Sequence, residues 1–170
     1  LYQPPTPHFQ LESCLRYELL PDGVIQMTLE CIARKDTFSN GYIGLFWASY
    51  IHQPESLDIH FPGWPNIGDR LEEIKLPPPT IIRGVTKGHG LKATHRSLQD
   101  RRQLVHDEDF PLSLVFGHSD HRYSDPWYYG VSNNMGFAQI FRPSDNIRIT
   151  QSPSGGGQGN PAWDFQFIVE

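Results

Sequence analysis

The chain has 170 residues, enough for one domain with a true core and too few for two ordinary ones. Its 14 Lys and Arg against 19 Asp and Glu give a net charge of -5, which tells against a phosphate-backbone partner, so nucleic acid is not expected. No apolar run approaches the roughly 18 residues of a membrane-spanning helix, and no membrane partner is expected either.

The start, Leu1-Tyr2-Gln3-Pro4-Pro5, lacks an initiator Met and a signal-type apolar region. It is read either as the end left by a removed leader or as part of a longer chain. Glycine and proline together, at 15 each, punctuate short aromatic-rich segments, and apolar residues alternate or run continuously with no helical period. The pattern predicts a single all-β domain over residues 1–170.

The first strands run from Ser13 to Leu20 and from Val24 to Ala33 around Pro21-Asp22-Gly23, where Pro sets φ for a type I turn and Gly takes a left-handed bulge position. Register follows from the side-chain pattern, because a slip of one residue sends every side chain to the other face. Pairing Leu20 with Val24 sets Leu19 against Ile25, Tyr17 against Met27, Leu15 against Leu29 and Ser13 against Cys31, leaving one face apolar almost throughout. A two-residue Asp22-Gly23 loop would mix the faces and set Cys14 opposite Cys31. The accepted register turns Cys31 inward and Cys14 outward, so no disulfide joins them and nothing demands an oxidising compartment.

Tyr42 to Ile51 is an expected strand, and its stretch Tyr42 to Ala48, apolar on both faces, predicts a covered central position. Strands are further expected at Leu57 to Phe61, Thr80 to Val85, Pro111 to His118, Trp127 to Val131, Met135 to Arg142, Asn146 to Thr150 and Trp163 to Val169. Between them, Pro62 to Pro79 reads as an irregular excursion and Lys87 to Asp109 as the most polar stretch, with room for one short helix at Leu98 to Val105. The glycine-rich run 155–159 is followed by no Lys-Ser/Thr pair and no helix, so it is a flexible connection or lid and no phosphate loop. About ten strands must close on themselves to bury their apolar faces, and an antiparallel β-sandwich with long Pro/Gly-rich loops is the expected fold.

The densest group of chemically able residues is Phe116 to Gly130, holding His118, Asp120, His121, Arg122, Asp125, Trp127, Tyr128 and Tyr129. Flat rings that stack on the C–H face of a pyranose, with Asp, His and Arg to bond its hydroxyls, are the palette of a sugar site. An equally simple account makes Trp127 and Tyr129 core residues and the rest a solvated loop. A metal site built on His118, Asp120 and His121, with His52, His60 or His95 added, is a third reading, although the cupin pattern of His-x-His with a following Glu is absent before Glu170. His52 lies at a strand mouth, Asp58 and His60 form a solvent-facing pair, and Thr94-His95-Arg96 offers donors to an anionic or polyhydroxylated ligand.

The run Tyr17 to Leu29 around Pro21-Asp22-Gly23, followed by Gly44 to Pro54 with its closing His52, resembles the central part of galactose mutarotase-like sugar proteins. Ile140 to Pro153 and Pro161 to Phe167 are compatible with the closing strands of such a sandwich. The resemblance implies a supersandwich-like antiparallel fold with a carbohydrate on its concave sheet. It also implies a histidine acid, matched in position by His52 or His118, and a glutamate base. No glutamate precedes Glu170 in the last strands, which leaves Asp145 and Asp164.

The expected function is therefore carbohydrate binding or carbohydrate chemistry, without a cofactor. His52, His118, Asp120 and Asp164 are the candidate catalytic residues; Trp47, His95, Arg96, His121, Trp127, Tyr128 and Arg142 are the candidate ligand contacts. The alternatives are a metal-dependent cupin-like barrel enzyme using His118 and His121, and a non-enzymatic interaction module.

Overall fold

A computed structural model describes residues 1–68, 70, 75–84, 92–104, 117–152 and 162–169. The chain forms two compact units, Leu1–Tyr42 and Ile43–Glu170. Its described regular structure is all β apart from one 3-10 turn at Pro143–Asp145.

In the first unit, β1 (Tyr2–Gln3), β2 (Leu11–Leu19) and β3 (Ile25–Ala33) form a three-stranded antiparallel sheet in that order. The hairpin has the register that side-chain alternation demands: Leu19 faces Ile25, Tyr17 faces Met27, Leu15 faces Leu29 and Ser13 faces Cys31. Leu20 N–H closes on the Val24 carbonyl at 2.8 Å, and Gly23 takes φ +87°, where an L side chain would be strained. Cys14 stands opposite Glu30, and both cysteines are free thiols.

The second unit holds β4 (Ile43–Trp47), β5 (Ile59–Trp64), β6 (Thr80–Gly84), β7 (Thr94–Ser97), β8 (His118–Tyr123), β9 (Trp127–Ser132), β10 (Met135–Ile140), β11 (Arg148–Ser152) and β12 (Ala162–Val169). They pair in the order β10-β9-β5-β8-β7-β11-β12-β4, with β6 added to β5. Every pair is antiparallel except β7 with β8. The chain is all β, as the sequence pattern predicts, and the strands of the second unit form one mixed sheet that curls over itself. Trp163 of β12 lies against Gly130 of β9, and the Tyr128 hydroxyl donates to the Trp163 carbonyl at 3.1 Å. Phe141, Phe165 and Phe167 meet edge to face inside the curl, with ring centroids 4.8 and 5.3 Å apart. Ile59, Phe61, Ile147, Ile149 and Trp163 complete this buried centre.

Gly130 is what lets the two layers approach. A Cβ there would sit 2.3 Å from the Trp163 ring, which is itself fully enclosed and cannot swing aside. Gly130→Ala is expected to lower unfolding stability by roughly 1–3 kcal/mol through overpacking. Urea denaturation of the full chain measures this, and an unchanged midpoint would count against the tight approach.

Several elements differ from the sequence expectation. Thr94–Ser97, placed in a polar excursion, is the central strand β7, with all four residues buried. Its polarity is satisfied sideways: Thr94 and Thr150 hydroxyls lie 3.3 Å apart, Gln166 Nε2 donates to Thr150 Oγ1, and Ser97 Oγ donates to Asn146. His118 to Tyr123, placed at a strand end and in its loop, is strand β8. Pro62, Gly63 and Trp64, assigned to an irregular stretch, lie in β5, where Gly63 lets the Arg122 carbonyl approach to 2.1 Å of a would-be Cβ. Residues 98–104 form a turn and extended chain instead of a helix, because Ser97 bonds the Asp100 N–H through both its carbonyl and its hydroxyl. Val105, Pro111 to Phe116 and the glycine-rich run 155–159 lie outside the described residues.

Candidate functional site

Strand β7 lies between β8, which runs parallel to it, and β11, which runs antiparallel. Alternation along β7 sends His95 to the face shared with its partner Ile149, and along β8 it sends His121 to the same side as Tyr123. The two imidazoles meet there, stacked with their planes nearly parallel at 12° and centroids 6.0 Å apart.

His95 is 1 % exposed and has the Phe61 ring at 4.5 Å. Its Nε2 lies 3.3 Å from Gln151 Oε1, and Gln151 Nε2 donates to the Leu57 carbonyl at 2.9 Å. The second bond orients the amide, so the atom facing His95 is an acceptor and the imidazole carries its proton on Nε2. Nδ1 is then a bare acceptor, buried and without a hydrogen-bond partner among the described residues. Burial drives the His95 pKa down to about 3 against the opposing bond from Gln151, so the ring is neutral near pH 7. Gly84 leaves the space for this pair: a Cβ there would stand 2.7 Å from Gln151 Oε1 and 3.0 Å from His95 Nε2.

His121 is half-buried. Its Nδ1 accepts the Asn66 N–H at 3.2 Å, which places the proton of the neutral ring on Nε2 as a donor. Burial lowers its pKa, opposed by the Asp120 carboxylate and reinforced by Lys92. Asp120 is exposed and held by Lys92 Nζ at 2.7 Å, and Arg70 Nη2 donates to the Asn66 carbonyl at 3.3 Å. The pair thus offers an unprotonated nitrogen on one ring and an N–H on the other, bordered by a small charged rim.

A second polar group lies on the other face of β7 and β11. Asp100, 1 % exposed, receives Arg102 at 2.9 and 3.0 Å and Arg148 at 2.8 Å. Burial alone would raise the Asp100 pKa, but the bonds and charges of these two guanidinium groups outweigh it and hold the carboxyl well below its usual range. Arg122, fully enclosed, donates to the carbonyls of Gly68, Ser97 and Asp100. His118 belongs to this side. Burial first, then the charges of Arg96 and Arg148, lower its pKa to about 4.

Of the expected site residues, His95 and His121 come together, with Asp120 beside them. Arg96 and His118 join the buried arginine side. Trp47, half-buried, stacks on Phe165 at 6.3 Å, and Tyr128 is enclosed in the curl. Trp127 is half-buried at the start of β9, opposite Ile140. Asp164 is fully buried on β12, where one oxygen takes the Ser49 N–H at 2.9 Å. Arg142 is exposed and forks onto Asp145. His52 is exposed beyond β4 and lends its carbonyl to Ser132 and Asn133. The expected solvent pair is also different: Asp58 is buried in an ion pair with Arg83, and His60 stacks on Tyr129 at 5.0 Å.

Gln151 and Asn66 were not singled out by the sequence. A usable signal exists for Gln151, because Ile147, Ile149 and Gln151 share one strand face and a polar residue interrupts an apolar one. Among the described residues no group of three or more His, Cys, Asp or Glu side chains forms a metal-binding cluster. Comparison with family models, curated proteins and solved structures finds no match to this chain.

Proposed function

We propose that the chain binds a polyhydroxylated ligand of carbohydrate type at the His95–His121 pair. The observation that carries this reading is the complementary protonation of two facing neutral rings, a bare Nδ1 acceptor on His95 and an Nε2–H donor on His121. A hydroxyl group is donor and acceptor at once and matches both, whereas a simple anion or cation matches only one. Gln151 and Asn66 lock the tautomers, which removes the reorganisation that binding would otherwise cost. A histidine with a pKa near 3 is no proton donor at neutral pH, so this reading puts binding before chemistry and leaves proton transfer to His121.

Calorimetry with neutral and acidic mono- and oligosaccharides chosen from an array screen tests the proposal. His121→Phe, which keeps the ring and removes the donor, is expected to weaken binding about 10-fold, the worth of one good hydrogen bond. Wild-type affinity is expected to fall as pH drops through the lowered pKa of His121, because protonation turns Nδ1 into a donor facing the Asn66 N–H. A wild-type chain that binds no saccharide, or binding indifferent to His121→Phe, overturns the reading.

A further inference from the structure

Among the described residues, β1, β3, β4, β6 and β10 each have one side with no strand beside it. At nine residues β3 is the longest of these; the others have two to six. A free edge is a row of unpaired N–H and C=O groups, which proteins usually guard with Pro, Lys, a bulge or a very short strand. Ile25-Gln26-Met27-Thr28-Leu29-Glu30-Cys31-Ile32-Ala33 has none of these devices and a single charge, Glu30. Its pairing with β2 is unbroken over all nine residues, and none has a positive φ.

Which groups face outward follows from the hairpin. Leu20 N–H bonds the Val24 carbonyl and Arg34 N–H bonds the Gln10 carbonyl, so the even-numbered residues of β3 are those that exchange bonds with β2. The N–H and C=O of Ile25, Met27, Leu29, Cys31 and Ala33 therefore point to the free edge. These same residues carry the apolar face, of which Ile25 is 67 % exposed, as is Leu19 of β2 at 73 %.

We infer that β3 pairs antiparallel with β3 of a second copy of this chain, about a two-fold axis at Leu29. The centre is set by the strand itself. With Leu29 opposite its own mate, Ile25 meets Ala33 and Met27 meets Cys31 of the other copy, so every outward residue has an outward partner and about ten main-chain bonds form. No other register uses the whole edge. It also continues the apolar face, because same-parity residues are opposed, and joins two three-stranded sheets into one of six strands. Gln26, Thr28 and Glu30 line the opposite face, where Thr28 meets Glu30 across the axis with no like charges directly opposed.

Sedimentation and chemical cross-linking of the full chain test this. The wild type is expected to dimerise with a concentration-dependent mass below about 100 μM, where a micromolar interface is populated. Leu29→Lys, which sets two cations against each other on the axis, is expected to weaken the dimer at least 10-fold while leaving the strand signal in circular dichroism unchanged. Met27→Cys serves as a variant that does not weaken the interface. Under mild oxidation with diamide its new thiol is expected to form a disulfide with Cys31 of the second copy, a bond lost on adding Cys31→Ser. Within one chain these positions are four residues apart along a strand and out of disulfide reach. A wild type that stays monomeric overturns the inference, as does a dimer that survives Leu29→Lys and gives no Met27→Cys cross-link.

Discussion

Asp100→Ala is expected to destabilise the chain by roughly 3–5 kcal/mol, a large fraction of the stability of an ordinary domain. The Asp100 side chain has no exposure and holds two guanidinium groups, Arg148 with none and Arg102 with 11 %. Removing the carboxylate leaves Arg148 charged in a low-dielectric interior, with only the Arg102 carbonyl at 3.5 Å as a remaining partner among the described residues. The cost comes from that abandoned charge more than from the lost pair. Asp100→Ala combined with Arg148→Met is therefore expected to recover much of the loss, since an apolar side chain of similar length has no charge to desolvate. Because the folded pKa of Asp100 is depressed, its contribution is present above the ordinary carboxylate value and is lost only as pH falls toward the folded one. Urea unfolding of the single and double variants at pH 7 gives the coupling. Equal losses in both variants would show that the charge is not the cause. Arg142→Ala, which breaks an exposed ion pair with Asp145, is the control and should leave the midpoint unmoved.

The hairpin was legible from sequence because its information is local. A three-residue turn and strict alternation specify one register, and a slip would expose the apolar face. The all-β class was legible for the same reason. What misled was β7, where Thr94, His95, Arg96 and Ser97 look like a surface loop by polarity. Thr94, His95 and Ser97 find polar partners some 50 residues away, in Thr150 and Gln151 of β11 and in Asn146 just before it, and Gln166 of β12 in turn bonds Thr150. No window of sequence contains that match. The candidate site was half legible: His95 and His121 were both named as ligand contacts, but within a larger set whose other members, such as His52 and Arg142, lie elsewhere. Only the parallel pairing of β7 with β8 brings His95 and His121 together, and parallel neighbours require a crossover that local patterns do not announce. Aromatic residues misled in the opposite direction. Tyr128 was named as a ligand contact, and the curl of the sheet encloses it.

Asp164→Asn is expected to stabilise the chain above pH 7 by about 4 kcal/mol and to change little below pH 4. Asp164 has no exposure, one oxygen bonded to the Ser49 N–H and the other without a partner among the described residues. Burial raises its pKa from 3.8 to about 7, opposed only by the Ser49 bond. The sign follows from proton binding. Between pH 3.8 and 7 the unfolded chain has lost this proton and the folded chain keeps it, so stability is full below 3.8 and drains away as pH rises through the folded pKa. The slope is about 1.4 kcal/mol per pH unit, and three units give the total. Asparagine matches the protonated acid in shape and keeps an oxygen for Ser49, yet it never ionises. His95 and His118, whose lowered pKa values make the chain lose stability in acid, are common to both proteins and cancel in the difference. Unfolding free energies of the two proteins at pH 4, 5.5 and 8 should therefore diverge steadily with pH. A difference that is the same at pH 4 and at pH 8 would mean that Asp164 is already ionised in the fold at low pH, held by a counter-charge and not buried bare.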